Sequence, residues 1–273
     1  MSSSGTAYTQ GHSAAVVASH LSRTVQNSAA FLVPHIQPHF TILDLGCGPG
    51  TITRGFCALV PQGRVTGIDA AEKVIEQARS LTPGTETEYK NLTFQVGDIT
   101  NGLSFADDSV DVVYTHQTLC HIPDPVIVIK EAHRVLKPGG MLAMREFDGM
   151  SWYPSSEGLE RFNALTAASV KPTGAQGFES GRRLHVWAKA AGFERTKMSI
   201  GAGAMCYTAP DEAKWWADVH VGRLSGEIGE KWLKWGILRN QEELESLKAA
   251  MRAWGNSEDA WFAGWQGEVI CWK

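Results

Sequence analysis

The chain has 273 residues, 43% of them hydrophobic and 20% charged, the composition of a globular protein with a sizeable core. Its 25 Lys+Arg against 29 Asp+Glu give a formal charge of −4 and no basic run, which excludes the electrostatic footprint of a duplex-binding protein. No run approaches the roughly 18 apolar residues of a membrane span, and the N-terminus lacks the basic-then-apolar order of a signal peptide, so a cytosolic protein without a membrane partner is expected.

Residues 1–20, rich in Ser, Thr, Gly and Gln, read by composition as a disordered tail. A helix is predicted from Ala14 to Leu32, stopped by Pro34 and Pro38, because proline pushes the residue before it out of the helical region. Short apolar runs follow at Thr41–Leu45, Arg64–Ile68, Leu92–Val96, Val110–Thr115 and Met141–Arg145. Helical patterns at Ile52–Val60, Ala71–Leu81 and Val126–Leu136 lie between them. Such spacing is too long for hairpins and implies crossovers between parallel strands, hence a doubly wound α/β sheet. Asp124 and Pro125 read as N-cap and first residue of a helix that ends at Lys137-Pro138-Gly139-Gly140.

Beyond Asp148 the rhythm breaks. Gly149–Gly177 is punctuated by Ser, Gly and Pro, Ser180–Ala191 reads as a helix, Glu194–Met205 as a strand, and Pro210–Ala253 as helical again. Eight of the ten tryptophans lie past residue 210, which suggests a helical cap before a last strand, Gly267–Trp272. The five cysteines (Cys47, Cys57, Cys120, Cys206 and Cys271) are odd in number and form no C-x-x-C, so neither a disulfide framework nor a metal site is expected.

The richest local pattern is Asp44-Leu45-Gly46-Cys47-Gly48-Pro49-Gly50-Thr51, where a strand runs through glycines into a helix. Glycines let the backbone approach a ligand, and free N–H groups at a helix start favour a polar or acidic group. The dinucleotide fingerprint G-x-G-x-x-G is not met, since Thr51 stands where its third glycine belongs, and a nicotinamide dehydrogenase is disfavoured. Asp69, nineteen residues past Gly50 at the end of the second strand, can accept both hydroxyls of a ribose. Asp98 follows the third strand.

Taken in order, Asp44–Gly50, Asp69, Gly97-Asp98-Ile99 and Leu136–Gly140 resemble the motifs of class I S-adenosylmethionine (SAM) methyltransferases, above all the ubiquinone/menaquinone-biosynthesis type that acts on small molecules. The resemblance covers residues 24–148. It implies a Rossmann-like sheet of about seven strands, with an N-terminal flap (1–38), a SAM-binding core (39–206), a Trp-rich helical cap (207–264) and a final core strand (265–273). It implies that Gly46, Cys47 and Gly48 lie at the methionine moiety with Asp44 beneath them, and that Asp69 and Ala70 meet the ribose. Asp98 and Ile99 would take the adenine, and Thr115 and His116 the sulfonium side. It also turns Tyr8 and His12 from a disordered tail into a flap over the substrate.

Methyl transfer is an in-line displacement, so alignment and a dry site carry most of the catalysis, with a general base needed only for a protonated nucleophile. His116, His121 and Glu146, at the carboxyl ends of the fourth and fifth strands, are the candidate bases, although a histidine at such a position can equally serve packing. Trp152, Trp215 and Trp216 admit two readings, cap core or wall for a bulky aromatic, natural-product-like acceptor. A cyclase using SAM only as a charge and a non-catalytic SAM-binding protein remain as alternatives. A homodimer is compatible with exposed cap tryptophans.

Overall fold

The computed structural model describes residues 19–82, 89–169 and 171–273. Tyr8 and His12 therefore lie outside the described residues. Seven strands form one sheet: β1 (Thr41–Leu45), β2 (Arg64–Asp69), β3 (Leu92–Val96), β4 (Val110–His116), β5 (Leu136–Tyr153), β6 (Met198–Tyr207) and β7 (Trp261–Trp272), in the order β3-β2-β1-β4-β5-β7-β6. The first five are parallel and β7 is antiparallel to both neighbours. β1 and β4 sit centrally and are buried along nearly their whole length, as expected of strands covered on both faces. The topology reverses between β1 and β4, so the crevice at their carboxyl ends is where such sheets bind ligands.

Helices α2 (Thr51–Cys57), α3 (Glu72–Ser80) and α4 (Pro125–Val135) make three of the four connections between the parallel strands, and the β3–β4 connection holds a 3-10 turn at Ile99–Asn101. The Asp124 side chain accepts from the Val126 N–H, with Pro125 in the first turn of α4. The predicted helix over 14–32 is broken within its described part. Helical residues end at Leu21, and α1 (Val25–Ser28) restarts behind a capping box in which Thr24 and Asn27 exchange side-chain and backbone hydrogen bonds, which competes with a continuous helix.

Two larger differences concern the second half. The punctuated stretch after Asp148 contains the end of β5 and then α5 (Glu157–Ala168), capped by Ser156 and burying Leu159, Phe162 and Leu165 along one face. Strands β5 and β7 are much longer than predicted, pairing from Met141 opposite Trp272 to Tyr153 opposite Trp261 with a bulge at Phe147/Gly149. The outer half of this ribbon runs past the end of β4, still paired to β6, and carries Trp152 and Phe262 into a second hydrophobic core. After α6 (Leu184–Ala190) and β6, that core is closed by α7 (Pro210–Ser225), α8 (Glu227–Lys234) and α9 (Gln241–Gly255). The single helical pattern of 210–253 is thus three helices, interrupted by extended Gly226 and a turn at 235–240. Among the described residues no helix is long and apolar enough to cross a membrane.

Candidate functional site

Two cavities of about 560 and 570 Å³ open at the carboxyl edge of the sheet. The first is built on the loops after β1, β2 and β3. Gly46 turns the chain with φ 74°; a Cβ there would sit 2.3 Å from Thr118 Oγ1, so close approach as well as backbone conformation requires glycine. The Gly48 and Ala71 N–H groups donate to the two oxygens of Asp69 at 3.0 Å each, which fixes that carboxylate at the cavity edge. Asp98 accepts from the Thr100 N–H and hydroxyl and from Asn101 Nδ2. Asp44, Gly46, Cys47, Gly48, Asp69, Ala70, Asp98 and Ile99 all line this cavity.

Beneath the loop, Asp44 is 2% exposed and accepts from Thr53 Oγ1 at 2.6 Å. Burial lifts its carboxyl to about 7 against that hydrogen bond, with Asp69 adding to the rise. Burial likewise pushes the Cys47 thiol up, aided by Asp44, so a reactive thiolate is disfavoured there.

The second cavity, the aromatic chamber, lies between the β5–β7–β6 face and the cap. Its walls include Phe162, Tyr207, Trp216, Trp232 and Phe262, with Arg145, Gln266 and Glu268 on the sheet side. Arg145 pairs with Glu268 at 3.3 Å and donates to the Asn27 carbonyl at 2.7 Å. The two cavities share Arg23, His116, Gln117, Phe178 and Arg223 in their walls. At this junction Gln117 adopts φ 50°, outside the usual range for a residue with a side chain, while its carboxamide accepts from Arg23 at 2.6 Å. His116 is held well below the ordinary imidazole range by burial, reinforced by Arg23 and Arg145.

The structure separates the candidate bases. His116 alone of the three lines both cavities. His121 lines the glycine-loop cavity, edge-on to Phe178, and burial with the nearby Arg23 lowers it to about 4. Glu146 lines neither. It is fully buried and accepts from the backbone N–H groups of Thr118, Leu119 and Cys120 at 2.8, 2.7 and 3.4 Å, so it is a clamp on the loop after β4 and cannot reach an acceptor. Burial raises its carboxyl to about 7 even so. Thr115 is also off the cavity walls, 1% exposed within β4, because strand alternation turns it into the sheet's packed face while His116 turns out. Trp152 belongs to the cap core: its ring lies 4.5 Å from Phe262 and 4.8 Å from Trp254, and its Nε1 donates to Asn163.

Sequence reasoning missed Gln117, Arg145, Gln266, Glu268 and His220 as wall residues. An Arg-Glu pair ending the apolar run Met141–Met144, and Trp216 one helical turn before His220, were the available signals.

With this geometry in hand, the relatives are informative. A family model described as a methyltransferase domain matches residues 36–198. A protein of Aspergillus luteorubrus named as a probable methyltransferase is 31% identical over 278 residues, covering 97% of each chain. Among solved structures, Haemonchus contortus phosphoethanolamine N-methyltransferase 2, in complex with phosphomonomethylethanolamine and S-adenosylhomocysteine, superposes with a TM-score of 0.53 at 18% identity over 90% of this chain and 52% of that one. The [4+2]-cyclase SpnF superposes with a TM-score of 0.52 at 18% identity, covering 92% and 84%; at such identities the likeness concerns the fold. The chain belongs to the class I SAM-dependent methyltransferases. Its cofactor is accordingly SAM.

Proposed function

We propose that this protein transfers a methyl group from SAM to a small, mostly apolar acceptor of the aromatic, natural-product kind held in the aromatic chamber. The observation that carries this reading is the meeting of the two cavities at His116 and Gln117. The first suits SAM: a main-chain wall with open space at Gly48, two fixed carboxylates, and about 560 Å³ of room. In this reading Asp69 and Ala70 hold the ribose, Asp98 and Ile99 the adenine, and Gly46, Cys47, Gly48 and Asp44 the methionine end. Bound SAM supplies a sulfonium-borne methyl group. The chain supplies alignment and exclusion of water, which can be worth roughly 7–11 kcal/mol.

His116 is neutral at physiological pH and a weak base, suited to accepting a hydrogen bond at the junction and orienting the nucleophile. Glu146 is committed to backbone N–H groups, and the carboxylates on the chamber wall are engaged as well, Glu268 with Arg145 and Glu212 with the Thr208 and Ala209 N–H groups; this lack of an unengaged base favours acceptors that enter already nucleophilic. The same lack of a base, with the fold likeness to a cyclase, keeps in view a reaction in which no methyl group leaves. The cysteines of the described residues are free, in keeping with a reducing cytosolic setting, and Trp261 and Trp265, both exposed on β7, would serve a homodimer contact.

The test is calorimetric titration with SAM and S-adenosylhomocysteine, followed by incubation of the SAM complex with a panel of phenols, amines, thiols and quinone-like acceptors, scoring S-adenosylhomocysteine release. Release on one acceptor class supports methyl transfer; conversion of an acceptor without release supports the cyclase-like reaction. Asp69→Ala, which removes the acceptor of the ribose hydroxyls, is expected to weaken cofactor binding about 10- to 100-fold, the range of hydrogen bonds to a charged group. Unchanged affinity would overturn the site assignment.

A further inference from the structure

We propose that the cap end of the aromatic chamber is a recognition subsite in which Thr166, Trp216 and His220 hydrogen-bond a hydroxyl or carbonyl group of a flat aromatic acceptor, at the end remote from the atom that is methylated. The proposal rests on the acceptor reading above and narrows its substrate class.

The chamber wall at the cap is built on Phe162, Trp216, Trp232, Leu224 and Ile228, with Glu212 and Arg223 also reaching it, and beside such apolar side chains a buried polar atom without a partner is costly. Thr166 Oγ1, Trp216 Nε1 and His220 Nε2 are nevertheless buried without a hydrogen-bond partner, and all three residues line the chamber. Trp216 and His220 are 6% and 7% exposed. Both belong to α7, where His220 stands 4.6 Å from Trp216, one turn earlier, and its ring lies 5.0 Å from that of Phe162 on α5. Thr166 lies one turn beyond Phe162 on the same face of α5.

Folded interiors pair nearly all such groups, so three orphans gathered in one cavity wall point to a partner that is a ligand. The chemistry of the set defines that partner. Indole Nε1 only donates, the threonine hydroxyl donates and accepts, and His220, kept uncharged by burial and by Arg223, offers one N–H and one lone pair. A neutral oxygen group, hydroxyl or carbonyl, satisfies this mixture, whereas an amine cation does not. The sheet side of the chamber is polar again at His116, Arg145, Gln266 and Glu268, while Met205 and Phe262 supply apolar wall. The acceptor that fits is therefore planar and aromatic, with oxygen substituents at both ends. A chamber of about 570 Å³ is within the range that encloses drug-sized molecules.

The probes are 2,6-dihydroxyanthraquinone and 2-hydroxyanthraquinone, titrated calorimetrically into the full chain with S-adenosylhomocysteine present. The dihydroxy compound is expected to bind at least about tenfold more tightly. Thr166→Val and His220→Phe should each bring that ratio toward one while leaving the affinity for the monohydroxy compound in place. Neither should lower the ligand-free melting temperature, because replacing an unpaired polar group with an apolar one of similar shape removes a penalty; a merely structural threonine or histidine would give a fall in Tm. A ratio near one in the unaltered protein, a ratio preserved in both variants, or binding of neither compound overturns the proposal. Thr166→Val is nearly isosteric and keeps the test decisive should His220→Phe fail to fold. S-adenosylhomocysteine formation from SAM and the dihydroxy compound is scored separately. An intact ratio with no product refutes methyl transfer to this compound and leaves the subsite standing, while product with a ratio of one refutes the subsite alone.

Discussion

The glycine-loop cavity and the aromatic chamber adjoin, have nearly equal volumes, and are made of different material. The first is organised by main chain, namely Gly46 to Gly48, the backbone N–H groups that fix Asp69, and the turn that Asp98 closes, with side chains such as Ile52, Val74 and Thr118 around it. The wall of the second is side chains drawn from α1, β4 to β7, α5, α7 and α8. A site built of backbone tolerates little change at a few positions, whereas a site built of side chains can be re-lined residue by residue on an unchanged frame. Catalysis that keeps one cofactor and varies its acceptors needs that division.

Five substitutions test this division of materials. Met251→Ala, which empties a fully buried position of the cap core, should cost about 2–5 kcal/mol of stability in chemical denaturation, while S-adenosylhomocysteine affinity of the folded protein stays near that of the unaltered chain. Loss of both together would show that the two regions do not behave separately. Gly46→Ala forces a methyl group against Thr118 and strains the φ of 74°, and strain of roughly 1–3 kcal/mol should appear as a 10- to 100-fold loss of cofactor affinity by calorimetry. Gly48→Ala, with nothing within 4 Å of the added Cβ, should lose less.

Glu146→Gln probes the clamp that joins β5 to the loop after β4. A carboxyl raised to about 7 in the folded protein favours the protonated native state. Its contribution is fully present below the ordinary carboxyl range near 4.5 and is lost as pH rises through about 7. The variant should flatten that decline in Tm between pH 4.5 and 7, and cost about 1–3 kcal/mol through mismatched backbone donors. An unaltered pH profile would remove Glu146 from the account. At the small end, Lys214→Ala breaks an exposed pair with Asp218 at 3.3 Å and should change stability by no more than about 0.5 kcal/mol in the same melts.

This division of materials also explains what the sequence discloses. The parallel half is legible because each strand carries its own apolar run, and because the residues of the glycine loop are consecutive. Asp69 ends its strand and Asp98 follows the next one by two residues, so position along the chain implies position in space. The β5–β7 ribbon is not legible in this way. Its outer half alternates Gly, Ser and Gln with aromatics, and those residues pair only because Tyr153 finds Trp261 more than a hundred positions away. Glu146 illustrates the same limit: its place in sequence is that of a base after a strand, yet three N–H groups from another loop decide its role. His220, a single histidine in a helix, carries no local mark of the aromatic box around it.

The ribbon has a consequence for how the cap relates to the rest of the molecule. In chain order the cap helices are an insertion between two strands, which invites the picture of a detachable module. The register denies it, since the same two strands that complete the sheet run on, hydrogen bond by hydrogen bond, to become the floor of the cap. Excising 210–255 would strip Trp216 and Trp254 from Phe262 and Trp152 on a protruding ribbon, and the shortened chain would be a sticky fragment rather than a smaller enzyme.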